Sequence, residues 1–390
     1  MNPPRHQATV RLARALALVS VLVPATALAS SVGSVPGTWR ALPPAPAAVS
    51  GPTAVWTGSQ LLVFGRKNVT ALDSRGAPYI VRSVDVAAAF DPARNRWVRL
   101  SPPKGPDYVP GYKAVWTGRQ MLAFGAFHSV AFDPATRAWR ELPKPVPLGI
   151  VVWTGREAIG WGGGCCGDAS ASGTAYVPSS GAYRELPRSP LAPSQRPIGA
   201  WTGRELILLV AGFDPDGKAY PARLARAAAY NPATNGWRRI APLPADALGT
   251  LGSAVWDGSE LLVVAAGKDG RAAYAYSPAS NRWRRLAPLP SGHFGPSVVW
   301  TGRRLLLWGG QTGRLPKLVA SRAGLAYDPK SDSWSAIAAA PLATRSGSAV
   351  VWTGRALLVW GGSKGVCKPG GVYGCHTVDL ADGAAFATTP

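Results

Sequence analysis

One short pattern returns seven times along this chain of 390 residues. An apolar residue, a tryptophan and a Thr-Gly pair lead into an apolar run, at Trp56, Trp116, Trp153, Trp201, Trp256, Trp300 and Trp352, with Asp257-Gly258 replacing Thr-Gly in the fifth copy. A regular return at this spacing is the mark of a repeat architecture, in which no unit buries its own apolar surface and neighbours must stack. A second pattern alternates with the first: a residue and a proline turn the chain toward an aromatic, as in Asp91-Pro92 to Trp97, Asp133-Pro134 to Trp139, Asn231-Pro232 to Trp237, Ser277-Pro278 to Trp283 and Asp328-Pro329 to Trp334. Val177-Pro178 to Tyr183 is a degenerate sixth.

Each Thr-Gly sits between two apolar runs, which predicts a tight hairpin with positive φ at the glycine. Strands a and b form that hairpin. Segments such as Ala227–Tyr230 supply strand c, the proline turn reverses the chain, and runs such as Trp-Arg-Arg-Leu make strand d. Forty-five glycines and 37 prolines against two methionines fit short strands and turns rather than helices. The seventh unit ends before any strand d, and the missing strand lies at the other terminus, where Thr38–Pro43 matches the strand d pattern of Asn281–Leu286. Pairing the termini predicts an all-β, seven-bladed β-propeller of four-stranded antiparallel blades, its ring closed by the N-terminal strand d.

Trp308-Gly309-Gly310, then Tyr327, then Trp334 resembles the double glycine, tyrosine and tryptophan of the kelch repeat. Trp360-Gly361-Gly362 and Trp161-Gly162-Gly163 repeat its first part, while Phe64-Gly65, Phe124-Gly125, Ala211-Gly212 and Ala266-Gly267 lack the full double glycine. The chain is thus similar to the kelch-repeat β-propellers, among them the propeller of galactose oxidase. That resemblance implies either a protein-binding module or an enzyme. A copper site of the galactose oxidase kind would imply two histidines, tyrosines and a Cys-Tyr crosslink. Beyond the leader the chain offers His128, His293 and His376 in three different units and matches no such set, so no cofactor and no metal are expected.

The first 29 residues read as a secretory signal, with Arg5, Arg11 and Arg14 ahead of an apolar stretch to Leu28 and Ala27-Leu28-Ala29 as the cleavage site. Residues 30–390 form one domain, expected to be secreted, periplasmic or in the cell envelope, monomeric, with no transmembrane span. Export lets disulfides persist. Cys367 and Cys375 flank Lys368-Pro369-Gly370-Gly371 at a spacing that could close a loop, whereas the adjacent Cys165 and Cys166 leave several pairings open. The formal charge of +22 loses three arginines and no acid with the leader, leaving +19, which favours anionic partners. The cations recur at repeat positions, and no nucleic-acid motif is present, so nucleic acid is not expected as a partner.

In a meander the a-b and c-d turns share one face, and the b-c and d-a connections share the other. The turns are near-uniform, whereas the b-c connections range from Ala126–His128 to Arg66–Val86, Phe213–Arg226, Gln311–Ala323 and Ser363–Asp382. Function concentrates in such variable loops. The d-a connections bring Tyr112, Lys113, Arg196, His293 and Arg345 toward the mouth of the central channel, a set suited to anions or sugars. The preferred reading is a non-enzymatic binding module for a protein, a glycan or an anionic envelope polymer. The alternative is a carbohydrate-active epimerase, oxidase or lyase at the channel mouth, for which Asp107, Asp168 and Asp246 are the nearest carboxylates.

Overall fold

The computed structural model describes residues 33–72, 78–106, 111–164, 168–210, 226–247, 252–314, 317–367 and 375–388. The expected leader, Asp107, Tyr108, Cys165, Cys166 and nearly all of the 213–226 connection lie outside these residues, as do the side chains of Asp246, Cys367, Cys375 and His376. The described chain is strand and turn, with one 3-10 turn at Ala245–Ala247, and no helix in it is long and apolar enough to cross a membrane.

Among the described residues, seven four-stranded antiparallel sheets account for most of the strands. Six follow the chain as simple meanders spanning 50–100, 113–142, 150–185, 198–239, 253–285 and 297–337. The seventh is assembled from both ends. Its strands Ala349–Trp352, Ala356–Trp360 and Gly383–Thr388 are completed by Gly37–Ala41, which pairs antiparallel with Gly383–Thr388 in the register Trp39 opposite Phe386. Such four-stranded antiparallel meanders are consistent with a β-propeller, and the terminal segment expected to act as strand d does pair there.

The turns form as the side chains dictate. In the a-b turns the glycine takes φ between 88° and 107°, a region closed to residues with a Cβ. The preceding threonine hydroxyl accepts the two amides that the turn leaves free, as Thr117 does from Arg119 and Gln120. In the fifth copy the Asp257 carboxylate takes over, accepting from Ser259 and Glu260 at 2.7 Å. This explains why Asp substitutes for Thr without loss of the hairpin. The c-d turns use the same device, with Asp91 accepting from Ala93 and Arg94.

Strand b of each sheet is a continuous apolar run, such as Leu206–Leu209, because a sheet stacked between two others is buried on both faces. Seven buried clusters result, each joining two sheets that are successive along the chain or, in one case, the seventh to the first. That case packs Leu358 and Trp360 against Leu61, Val63 and Phe90. Full burial of one such side chain is worth roughly 1.5–3 kcal/mol, so the clusters dominate cohesion. The first strands of successive sheets lie side by side, and that of the seventh lies beside that of the first.

A repeated peg locks neighbouring sheets at their outer strands. The aromatic of one strand d donates to a carbonyl just beyond the strand d before it: Trp97 to Pro43, Tyr183 to Lys144, Trp237 to Pro187, Trp283 to Ala241 and Trp334 to Ala287, at 2.7–2.9 Å. Trp39 makes the equivalent bond to Ala338 at 2.7 Å and packs its ring on Phe386. It therefore occupies the same role as Trp283, although it comes from the opposite end of the chain. Replacing either residue removes one hydrogen bond and part of a cluster. Trp39→Ala and Trp283→Ala are each expected to lower the unfolding free energy by about 2–3 kcal/mol in denaturant titrations. A loss at Trp39 under ~0.5 kcal/mol would contradict the equivalence.

Candidate functional site

The face carrying the b-c and d-a connections is where the sheets differ. Three of the long b-c connections expected as loops contain hairpins. Leu61–Leu72 and Pro78–Asp91 run past the first sheet, Gln311–Arg314 pairs with Lys317–Ala320, and Ser363–Cys367 pairs with Cys375–Asp379. Alternation within 66–86 and 363–379 was hidden among Gly, Ser and charged residues, which is why these segments read as irregular. The last hairpin sets Cys367 opposite Cys375 in its backbone register.

The d-a connections leading into the fourth to seventh sheets line a cavity of about 410 Å³. Arg196, Phe294, Gln311 and Arg345 line it. Arg345 is almost wholly buried, and its two terminal nitrogens donate to the Asp382 carboxylate at 2.8 and 2.9 Å in a bidentate pair. Its Nε donates to the Ala343 carbonyl. The guanidinium is thus a fixed piece of wall rather than a free arm. Arg196, by contrast, is exposed.

The other expected residues go elsewhere. Lys113 is exposed at the start of the innermost strand of the second sheet, where crowding and then the charge of Arg196 hold its ammonium below the usual lysine range. His293 is buried in the short strand His293–Phe294 with Nε2 3.2 Å from the Ser291 hydroxyl, and burial holds its pKa down. Its neighbour Phe294, not His293, reaches the cavity. Asp168 accepts a hydrogen bond from Gln195 through its backbone carbonyl.

Tyr112 is buried between the first and second sheets in a polar cluster that sequence reasoning missed. Its hydroxyl donates to Asp85 at 3.1 Å and stands 3.3 Å from His128 Nδ1. Arg66 lies 3.1 Å from Asp85, an ion pair by distance, and donates to the Ser83 and Pro106 carbonyls. Burial, and then the Asp85 charge, push the tyrosine hydroxyl well above its usual pKa. The cluster has acid-base chemistry but no access. Gly105 covers it so tightly that a Cβ there would strike both the Asp85 carboxylate and the His128 ring. Arg66 and Asp85 sit in a long hairpin without a motif, so no sequence signal pointed to them.

The three glutamates that follow a-b turns are likewise committed. Arg184 pairs with Glu157 at 2.6 Å, Arg238 with Glu205 at 2.7 Å and Arg284 with Glu260 at 2.6 Å. Arg184 also donates to Tyr230 of the next sheet, at 2.7 Å. A wider cleft of about 790 Å³ lies at the outer rim of the fifth sheet, lined by Lys268, Asp269, Arg271 and Arg285.

No protein-family model matches the chain. Over 156 residues, 38% of its length, it is 30% identical to Kelch-like protein 35 of Mus musculus, of which it spans a quarter. Among solved structures it is similar to a fungal alcohol oxidase of the AA5 family in complex with copper, with a TM-score of 0.63 and 13% identity over 92% of this chain and 77% of that one. Such a likeness is one of fold. Among the described residues no group of three or more His, Cys, Asp or Glu side chains is placed to hold a metal ion.

The Arg345 pair ties the cavity wall to pH. Its hydrogen bonds hold the Asp382 carboxyl below the usual carboxylate range, so this contribution is complete above about pH 4 and is lost as pH falls through the lower folded value. Asp382→Asn should flatten the acid limb. Denaturant titrations between about pH 2 and 6 are expected to show wild-type stability falling more steeply than that of the variant, and parallel limbs would contradict the pairing.

Proposed function

We propose that this kelch-type β-propeller is a closed ring of seven blades that works as a binding module and takes a protein partner on the b-c and d-a face. Support for the ring comes from the paired termini, the cluster joining the seventh sheet to the first, and the Trp39 peg. One observation carries the functional reading. Every large apolar side chain exposed among the described residues lies on b-c segments: Tyr79, Ile80 and Val81 in the first sheet, Phe127 in the second, Val319 in the sixth and Val378 in the seventh. Phe127 is 71% exposed and Val319 65%. These are four successive sheets, and exposed apolar groups gathered on one face mark interaction surfaces. The turn face has none among the described residues.

An enzymatic reading has less to work with. The buried Asp85, Tyr112 and His128 are capped by Gly105, and Glu157, Glu205 and Glu260 are tied to arginines. The similarity to an oxidase favours that reading through fold alone. The leader pattern favours export to a secreted, periplasmic or envelope location, and the register of Cys367 against Cys375 suits a disulfide there.

Two experiments test this. Crosslinking against proteins of the same compartment should recover a partner set with the wild type that Ile80→Ser/Phe127→Ser/Val319→Ser loses at an unchanged thermal midpoint. An unchanged partner set, or peroxide formation by copper-treated protein on alcohols or sugars, would contradict the binding reading. Peptide mapping without reduction is expected to find Cys367 joined to Cys375, and a link from either to Cys165 or Cys166 would refute that pairing.

A further inference from the structure

Where this molecule crowds an arginine it supplies a carboxylate: Glu157 for Arg184, Glu205 for Arg238, Glu260 for Arg284 and Asp382 for Arg345. Arg196 stands outside that pattern: it has no acidic partner among the described residues, and the cavity beside it is lined by no acid. Its polar lining consists of Arg196, Arg345, Gln311, Ser297, Ser346 and Ser348. Gly295, Gly310 and Gly347, all at positive φ, bring backbone to the same wall. Arg345 is already neutralised by Asp382, so the uncompensated charge at the cavity is that of Arg196.

We infer that this cavity is a binding site for a small hydroxylated oxyanion, whose carboxylate or phosphate group is held by Arg196, and whose hydroxyls meet the serines and Gln311. A cation without an acidic neighbour gains from an anion placed against it. A planar guanidinium matches a carboxylate or phosphate in two-point geometry, while the rigid Arg345 and Asp382 pair keeps the cavity wall in place without competing for the anion. A volume of about 410 Å³ suits a monosaccharide-sized ligand. The site shares Gln311 with the hairpin that carries Val319, but the variants that test it leave every apolar hairpin residue unchanged, so its failure leaves the protein-binding reading standing, and the reverse holds.

The test is calorimetric titration of the full-length mature protein with inorganic phosphate, galacturonate and galactose, all at one ionic strength set with sodium chloride. Arg196→Gln is compared with Arg355→Gln, which removes a cation from an a-b turn on the opposite face. Saturable binding of phosphate or galacturonate at about millimolar affinity or tighter is expected. It should weaken by about tenfold or more in Arg196→Gln and stay unchanged in Arg355→Gln. Binding of only one of the two anions would support the site and identify its preferred group. No saturable binding, equal binding of neutral galactose, an equal loss in Arg355→Gln, or undiminished binding in Arg196→Gln would overturn it.

Discussion

The five backbone pairings between Gly37–Ala41 and Gly383–Thr388 are the constraint on which everything else rests. Each sheet is apolar on both faces and is stable only with a neighbour on each side. Without the terminal strand, the seventh sheet would lose its outer strand, and Phe386 would lose the Trp39 ring that covers it. The stacking surfaces of the sixth and first sheets depend on that sheet in turn. A contact between residues some 350 positions apart is costly in chain entropy. It is repaid because one strand completes two interfaces, through the Trp39 bond to Ala338 on one side and the Trp97 bond to Pro43 on the other.

From that scaffold the two faces diverge for a physical reason. On the turn face the side chains are already committed to holding the fold. Threonine and aspartate satisfy turn amides, glycine supplies positive φ, and arginine on strand d joins a glutamate of its own sheet to a tyrosine of the next. There is little freedom there for a binding surface to evolve. On the other face the backbone bonds are completed within separate hairpins, so their side chains are free to vary. Exposed apolar groups and an unpaired cation both appear on that face. They represent two separate chemistries, one suited to a protein surface and one to a small anion.

The repeat made most of the architecture legible before any coordinates. The Thr-Gly turns, the all-apolar strand b and the aromatic of strand d each have one physical solution, and the Thr38–Pro43 match located the terminal pairing within a residue or two. Site residues were harder to read, because proximity to the channel mouth in sequence does not reveal which way a side chain turns. Arg196 faces the cavity, but Arg345 is consumed by Asp382, and His293 is buried beside a neighbour that does the lining. Tyr112 turned inward because Asp85, 27 residues away on a long hairpin, offered a buried acceptor. No local pattern announces a partner at that distance.

The most direct test of ring closure is hydrogen exchange followed by mass spectrometry on Gly383–Thr388. If the terminal strand closes the ring, those amides should exchange as slowly as the equivalent strand Gly324–Asp328 of the sixth sheet, and both should speed up together when residues 30–44 are deleted. Exchange at the rate of an open edge strand in the intact protein, with the other six sheets protected, would show that the ring is not held by its ends.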